Sequence, residues 1–322
     1  MQSHPPAISI VSGQRLEDLL PSLQVNIIHN RFDILYQNYR IYTVDGIIVP
    51  ISVKGDCARV GLYLTTLTTA QRDALSNRIF EDFPSVSYLE VSHSYTPLEF
   101  FHPETYWHIA LPETMDDFIG QLSSKTRYNA KWYPKKLTRD KGEQCVTHYP
   151  AAEAPEDVIL QYLQWKNSSH SFTYTQDATS FIKTYGITDI YTLSINGKNI
   201  AIGMTCDTGH NSYFENFSYD PEYHLYSPGM ILYLHIIGDK IKNHMRVFYL
   251  SGGELDYKRR YNGIRTETYT GRIFRHADKL RNALTRYSKT PSFALKPAAV
   301  FLCFTLPRAC KRTFRQLIKS AT

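Results

Sequence analysis

The sequence predicts an α/β (α+β) chain built on a mixed, mostly antiparallel sheet flanked by helices, and three observations carry that expectation. Two strand-like runs, 190–195 and 199–206, are separated by Asn196-Gly197, a residue pair suited to a tight primed hairpin turn. An aromatic-rich strand pattern over 211–219 then stops at Asp220-Pro221. Beyond it Ser227-Pro228-Gly229 offers an N-cap, a preset first-turn φ and a residue without Cβ just before the helical pattern of 230–241. Finally, strand and helix patterns succeed one another with no short-period repeat and no low-complexity tract.

Taken in order, residues 40–44 and 46–53 read as strands joined by an Asp45-Gly46 turn. Residues 69–80 are helical, with Leu75, Ile79 and Phe80 spaced for one face, and 87–91 is another strand. A second compact unit is expected after Pro103. In it 115–132 reads as one helix ending at Pro134, 144–149 as a short strand, 155–168 as a helix with Asp157 in its first turn, and 179–185 as a shorter helix. The hairpin follows, and strand 211–219 returns after the turn Thr208-Gly209-His210, giving three adjacent antiparallel strands. Helix 230–242, strand 247–250, the turn Gly252-Gly253 with the polar run 254–258, and a last strand over 266–274 complete one open sheet.

A chain of 322 residues with 43% apolar and 20% charged side chains can bury a large core and divide into two units, which excludes a disordered protein. Its cysteines (Cys57, Cys145, Cys206, Cys303, Cys310) are scattered, odd in number and never in a CxxC pair, so neither a disulfide framework nor a zinc site is expected. The histidines show no metal-ligand spacing, and no metal is implied. The N-terminus lacks a secretory pattern and no run approaches the ~20 apolar residues of a membrane span, so the expected location is cytoplasmic.

Charge is unevenly placed within a net of +6. Residues 272–322 hold twelve Lys/Arg against one acid, whereas the rest holds 24 Lys/Arg against 29 acids. An apolar run, 298–306, lies between Pro297 and Pro307. Arg308, Lys311, Arg312, Arg315 and Lys319 then recur at helical spacing around Phe314, Leu317 and Ile318. The pattern suits a basic amphipathic helix on an anionic membrane, which would make the protein peripheral on the inner face, and equally suits a terminal helix docked on the body.

Four segments, in this order, resemble the GCN5-related N-acetyltransferase (GNAT) superfamily, and within it the CelD-like bacterial branch associated with polysaccharide biosynthesis. They are Leu122-Ser123-Ser124-Lys125-Thr126-Arg127-Tyr128-Asn129, the hairpin Asn196-Gly197-Lys198-Asn199-Ile200-Ala201, the helix start Tyr226-Ser227-Pro228-Gly229, and Gly252-Gly253-Glu254-Leu255-Asp256-Tyr257-Lys258. The resemblance implies tandem GNAT-like lobes, as in Fem-type transferases: a degenerate N-terminal lobe over 1–105, a GNAT acyltransferase domain over 106–285 and a basic tail over 286–322. It departs from the family at the phosphate loop, where Tyr226-Ser227-Pro228-Gly229-Met230 has one glycine and no adjacent Arg or Gln.

The activity implied is transfer of an acyl group from acetyl-CoA or another acyl-CoA, as co-substrate, to an amine, on an amino sugar or other envelope polysaccharide precursor. By position in the family, Phe214, Asn216, Phe217 and Ser218 form the strand that pairs with the donor's pantetheine arm. Ser227, Gly229 and Met230 sit at the donor diphosphate, where unpaired helix N–H groups suit an anion. Glu215 is the candidate base, with a solvated strand residue as the alternative. Tyr257 is the candidate acid for the leaving thiolate, with a packed tyrosine as the alternative. Arg127 and Lys258 are candidate contacts to an anionic acceptor, or a solvated helix charge and a local ion-pair partner. Two other readings stay open. One is a Fem-type, aminoacyl-tRNA-dependent transferase, whose basic 131–141 cluster and tail meet RNA phosphates; the other is a non-catalytic, GNAT-like, membrane-associated protein of envelope assembly or protection.

Overall fold

The computed structural model describes residues 6–11, 39–60, 67–95, 100–169 and 177–275, and every structural statement concerns these. The basic tail beyond Arg275 lies outside them.

Both turns read from sequence form as the chemistry requires. Asp45 and Gly46 have φ of +49° and +80°, and Asn196 and Gly197 +49° and +79°, the paired left-handed residues of a primed turn. The first joins β2 (Tyr39–Val44) to β3 (Ile47–Lys54), and the second joins β8 (Asp189–Ile195) to β9 (Lys198–Thr208). The remaining strands are β1 (Ile8–Val11), β4 (Cys57–Val60), β5 (Tyr88–Ser94), β6 (Phe100–Ala110), β7 (Gln144–Pro150), β10 (Asn211–Tyr219), β11 (Val247–Gly252) and β12 (Ile264–Phe274). All twelve form one sheet in the order β1-β2-β3-β4-β5-β12-β6-β11-β10-β9-β8-β7.

That order is a duplication with exchanged strands. On one side four antiparallel strands, β1 to β4, end in β4, and α1 (Thr69–Asp82) crosses over to β5, which is parallel to β4. On the other side four, β7 to β10, end in β10, and α6 (Pro228–Lys242) crosses over to β11, parallel to β10. The strand that follows each crossover leaves for the opposite half: β6 pairs with β11, and β12 pairs with β5. Strands β6 and β12 meet antiparallel over nine residue pairs, from Ile264 opposite His108 to Arg272 opposite Phe100. A local two-fold therefore runs through this central pair.

Each half has its own core. Tyr42, Ile51, Leu75, Ile79 and Leu89 belong to the first, and Trp107, Phe214, Leu232, Ile236, Phe248 and Leu250 to the second. On the opposite face of the second half, α4 (Glu156–Ser169) and α5 (Ala178–Tyr185) bury Tyr162, Leu163 and Phe181 against Ile190, Ile202 and Met204.

Three expectations are corrected. The helix expected over 115–132 is two: α2 (Met115–Gln121) stops at Leu122, and Ser123 caps α3 (Ser124–Lys141) by accepting from Thr126 N–H at 3.2 Å. Pro134 does not end α3, which runs on for seven residues to Lys141. The polar run after Gly253 contains a short helix, α7 (Asp256–Arg260). The strand β6, rich in aromatic residues but interrupted by Pro103, was not expected at all.

Candidate active site

The two halves differ where each crossover helix begins. At α1 the helix closes on itself: Thr68 Oγ1 accepts from Gln71 N–H at 3.3 Å and Gln71 Oε1 accepts from Thr68 N–H at 2.9 Å. At α6 no such cap exists. Ser227 holds the cap position in a left-handed conformation, φ +49°, and its side chain makes no cap hydrogen bond, a correction to the N-cap expected from sequence. A 3₁₀ turn, Pro221–Tyr226, delivers the chain to that point, started by Asp220, whose Oδ1 accepts from Glu222 N–H at 3.0 Å. The N–H groups of Met230 and Ile231 both point at the Ser227 carbonyl, at 3.0 and 3.3 Å. Pro228 has no N–H, so Gly229 supplies the one amide of this turn that has no partner among the described residues.

Strands β10 and β11 also part company here. Their parallel ladder covers Asn211–Val247, Ser212–Phe248 and Tyr213–Tyr249 and goes no further, while β10 continues against β9 to Tyr219. Immediately past the parting, the β9 register slips between Phe214 and Asn216, so Glu215 is the extra residue of a bulge. The bulge turns Phe214 and Phe217 to the same face. Phe214 packs edge-on against Tyr233 of α6 at 5.3 Å, and a Cβ placed on Gly229 would meet the Phe217 ring at 2.9 Å. Asn216 faces the other way, and its Oδ1 accepts from the Tyr162 hydroxyl at 2.9 Å.

A cavity of about 570 Å³ fills the opening. Its walls come from β10 (Phe214, Asn216, Phe217, Tyr219), the start of α6 (Ser227 to Met230, and Tyr233), α3 (Thr126, Asn129, Tyr133), Lys166 of α4, and the α7 segment (Leu255, Tyr257, Arg260, Tyr261). Two buried polar groups on this wall have no hydrogen-bond partner: Asn216 Nδ2 and the Tyr233 hydroxyl. Unpaired groups of this kind are uncommon in a folded chain. Tyr233, Tyr257 and Tyr261 cluster, with ring centroids at 5.8 Å for Tyr233–Tyr257 and 4.8 Å for Tyr233–Tyr261. Burial pushes the Tyr257 hydroxyl up to about 12 and raises those of Tyr233 and Tyr261 further, so all three are protonated at neutral pH.

Of the residues singled out from sequence, Phe214, Asn216, Phe217, Ser227, Gly229, Met230 and Tyr257 line this cavity together. Ser218 is buried in β10 and is not on the wall. The side chain of Glu215 lies outside the described residues. Arg127 turns back onto α2, donating to the carbonyls of Gly120 at 2.8 Å and Leu122 at 2.7 Å. Lys258 is only 1% exposed, and its ammonium donates to the carbonyls of Gly252 at 2.5 Å and Gly253 at 3.2 Å. Burial pushes it down to about 8. Sequence reading missed Tyr162, Lys166 and Arg260, none of which lies in a run that marks it.

Residues 124–259 match the family model described as an acetyltransferase (GNAT) domain. No curated protein sequence matches the chain. Among solved structures, FemX superposes with a TM-score of 0.59 at 8% identity, over 82% of this chain and 96% of that one. A conserved protein of unknown function from Bacteroides thetaiotaomicron gives 0.57 at 10% identity, over 84% and 100%. L-PGS from Bacillus licheniformis gives 0.53 at 11% identity, over 81% and 90%. At such identities the likeness is one of fold. Residues 124–259 thus form a GNAT-type domain by their family match, and the superpositions show that the chain around it has a Fem-like fold.

Proposed function

We propose that the cavity takes an acyl-CoA and that the protein transfers the acyl group to an amine. The parting of β10 from β11 beyond Tyr213 supports this best, because it leaves one edge of β10 without a strand neighbour beside an apolar cavity. An extended arm carrying amides pairs with such an edge as an added strand would. The cavity also fits the donor on its own chemistry: Gly229 offers an N–H and no Cβ, Asn216 Nδ2 and the Tyr233 hydroxyl lack partners, and Arg260 and Lys166 bring cations to the wall.

In this reading the acceptor nitrogen attacks the thioester carbon, the C–N bond forms and the C–S bond breaks. The amine loses a proton to a base, for which Glu215 at the bulge is the candidate. The departing thiolate takes a proton from the Tyr257 hydroxyl, which burial keeps protonated. The acceptor class, an amino sugar or other envelope polysaccharide precursor, is supported by the sequence resemblance.

A second donor is favoured by one observation. With Met230 and Ile231 both bonded to Ser227, a single free amide is a thin grip for a diphosphate, and an aminoacyl-tRNA needs none there. Calorimetry with acetyl-CoA, longer acyl-CoAs and CoA separates the two. Acyl-CoA binding that protects the fold against heat is expected. No binding of any of the three, with tight salt-sensitive binding of aminoacyl-tRNA, would replace the first donor by the second.

A further inference from the structure

Exposed apolar side chains are concentrated on this protein rather than scattered. Of the eight large hydrophobic residues exposed among the described residues, Tyr219 and Leu255 line the cavity, and Tyr128, Trp132 and Leu225 are chain neighbours of residues that do. Tyr128 and Trp132 stack on α3 at 6.5 Å, each one position before a wall residue, Asn129 or Tyr133. Leu225 directly follows the wall residue His224 and is 62% exposed. Lys136 binds these pieces into one surface: its ammonium donates to the Leu225 carbonyl at 3.1 Å and lies over the rings of Trp132 at 5.1 Å and Tyr226 at 4.9 Å.

The same surface is strongly basic. Helix α3 carries seven Lys/Arg and one acid, Asp140. Lys125, Tyr128, Trp132, Lys135 and Arg139 recur every three or four residues and so share one face. Cations, Tyr and Trp rings, and bare leucines in one patch are the composition of a surface that sits at the headgroup level of a bilayer. Nucleic acid would use the lysines and rings. It would have no use for Leu225 and Leu255, which are 62% and 56% exposed.

We propose that this rim docks on an anionic lipid bilayer. Helix α3 lies along the headgroups, Tyr128, Trp132, Leu225 and Leu255 enter the interface, and the cavity opens onto the membrane surface, so an acceptor anchored in lipid reaches it without leaving the bilayer. The docking is independent of which acyl donor the cavity takes.

The test is co-sedimentation of the full chain with vesicles of phosphatidylglycerol and phosphatidylcholine, without donor, against phosphatidylcholine alone. Binding to the anionic vesicles only is expected. Lys125→Gln, Lys135→Gln and Arg139→Gln together should weaken it on the order of 100-fold, at about fivefold per charge. Leu225→Ser should weaken it roughly tenfold and leave binding of a single-stranded RNA oligonucleotide untouched. All four side chains are exposed, so thermal unfolding should stay as in the parent, which separates lost docking from lost fold. Anionic-vesicle binding that neither variant changes would place any membrane contact elsewhere and overturn the proposal, as would no vesicle binding. RNA binding lost in the triple variant, with vesicle binding indifferent to Leu225→Ser, would make the patch an RNA surface.

Discussion

Gly229→Ala puts one methyl group at the point where the helix start, the bulged strand and the cavity meet. The added Cβ would lie 2.9 Å from both Cε1 and Cζ of Phe217, about half an ångström inside ordinary contact. The easiest movement is into the cavity. Replacing glycine in a helix gains at most about 1 kcal/mol, less in a first turn, whereas overpacking of this kind costs about 1–3 kcal/mol. The sum is a loss of roughly 0–2 kcal/mol, a fall in Tm of a few degrees for a chain this long. Binding should suffer more. A methyl group beside the one free amide removes or lengthens a charge-assisted hydrogen bond, and acetyl-CoA affinity by calorimetry should drop about tenfold or more. Gly238→Ala is the internal control, since in the same helix its Cβ would meet only the Met115 sulfur, at an ordinary 3.7 Å. It should stabilise slightly and leave binding alone. Equal affinity in Gly229→Ala and the parent, or equal destabilisation in the two alanine variants, would refute the claim that this contact shapes a donor site.

Tyr257→Phe removes the hydroxyl proposed to reprotonate the thiolate and should lower kcat about 100-fold with donor affinity nearly unchanged; unaltered turnover would leave Tyr257 as a packing residue. Lys258 is pushed down to about 8 by burial, below the roughly 10.4 of an unfolded chain, so the native state releases its proton first. Unfolding stability of the parent relative to Lys258→Met should therefore rise as pH goes from about 8 to 10.4 and stay level below about 8, where both states hold the proton. A difference that does not vary with pH in denaturant titrations would contradict that placement. Lys240, 1% exposed, holds Asp207 at 2.7 Å and Asp189 at 3.3 Å, far along α6 from the cavity. Lys240→Met strands the Asp207 carboxylate, while Asp189 keeps His148 at 2.7 Å, and should cost about 3–5 kcal/mol; the same change with Asp207→Asn should recover much of it.

The parts of the fold that were legible in the sequence are those fixed by local chemistry. Asp45-Gly46 and Asn196-Gly197 allow little but a primed turn, and β10 is bounded by a Gly209 turn and by Asp220-Pro221, so its limits were readable to the residue. Local reading failed where tertiary packing outweighs a breaker. Leu122 is buried and carries the chain from α2 into α3 with neither Gly nor Pro between them, and Pro134 sits inside α3 although it withholds an N–H. In the site, Gly229 and Tyr257 could be found because each lies in a run whose order is distinctive. Tyr162 could not, since its hydroxyl reaches Asn216 from 54 residues away and nothing near it in the sequence marks the contact. Arg260 and Lys166 are likewise brought to the cavity by α7, a helix that the sequence does not announce, and by α4, which it places but does not aim.

The exchange of β6 and β12 explains why the half that holds the cavity cannot be understood from its matched residues alone. The match ends at residue 259 and begins at 124, yet β11 is completed by β6 from before it, with Phe248 opposite Ile109 and Val247 opposite Ala110. Without β6, the strand that opens the cavity would itself be a bare apolar edge, carrying Phe248 and Leu250 with no neighbour on one side. The wall made by α7 depends on the same strand. Trp107 of β6 is 3% exposed, lies under the Arg259 guanidinium at 5.8 Å, and shares a core with Tyr261. From α7 the chain continues directly into β12, which is held by β6 on one side and by β5 of the other half on the second. Tyr257, Arg260 and Tyr261 are thus positioned by a clamp whose far jaw is the N-terminal half. That half has a self-capped helix start where the C-terminal half has an open one. It serves the cavity by holding its wall, and loosening β5 against β12 should be felt as a change in donor affinity at a site it does not touch.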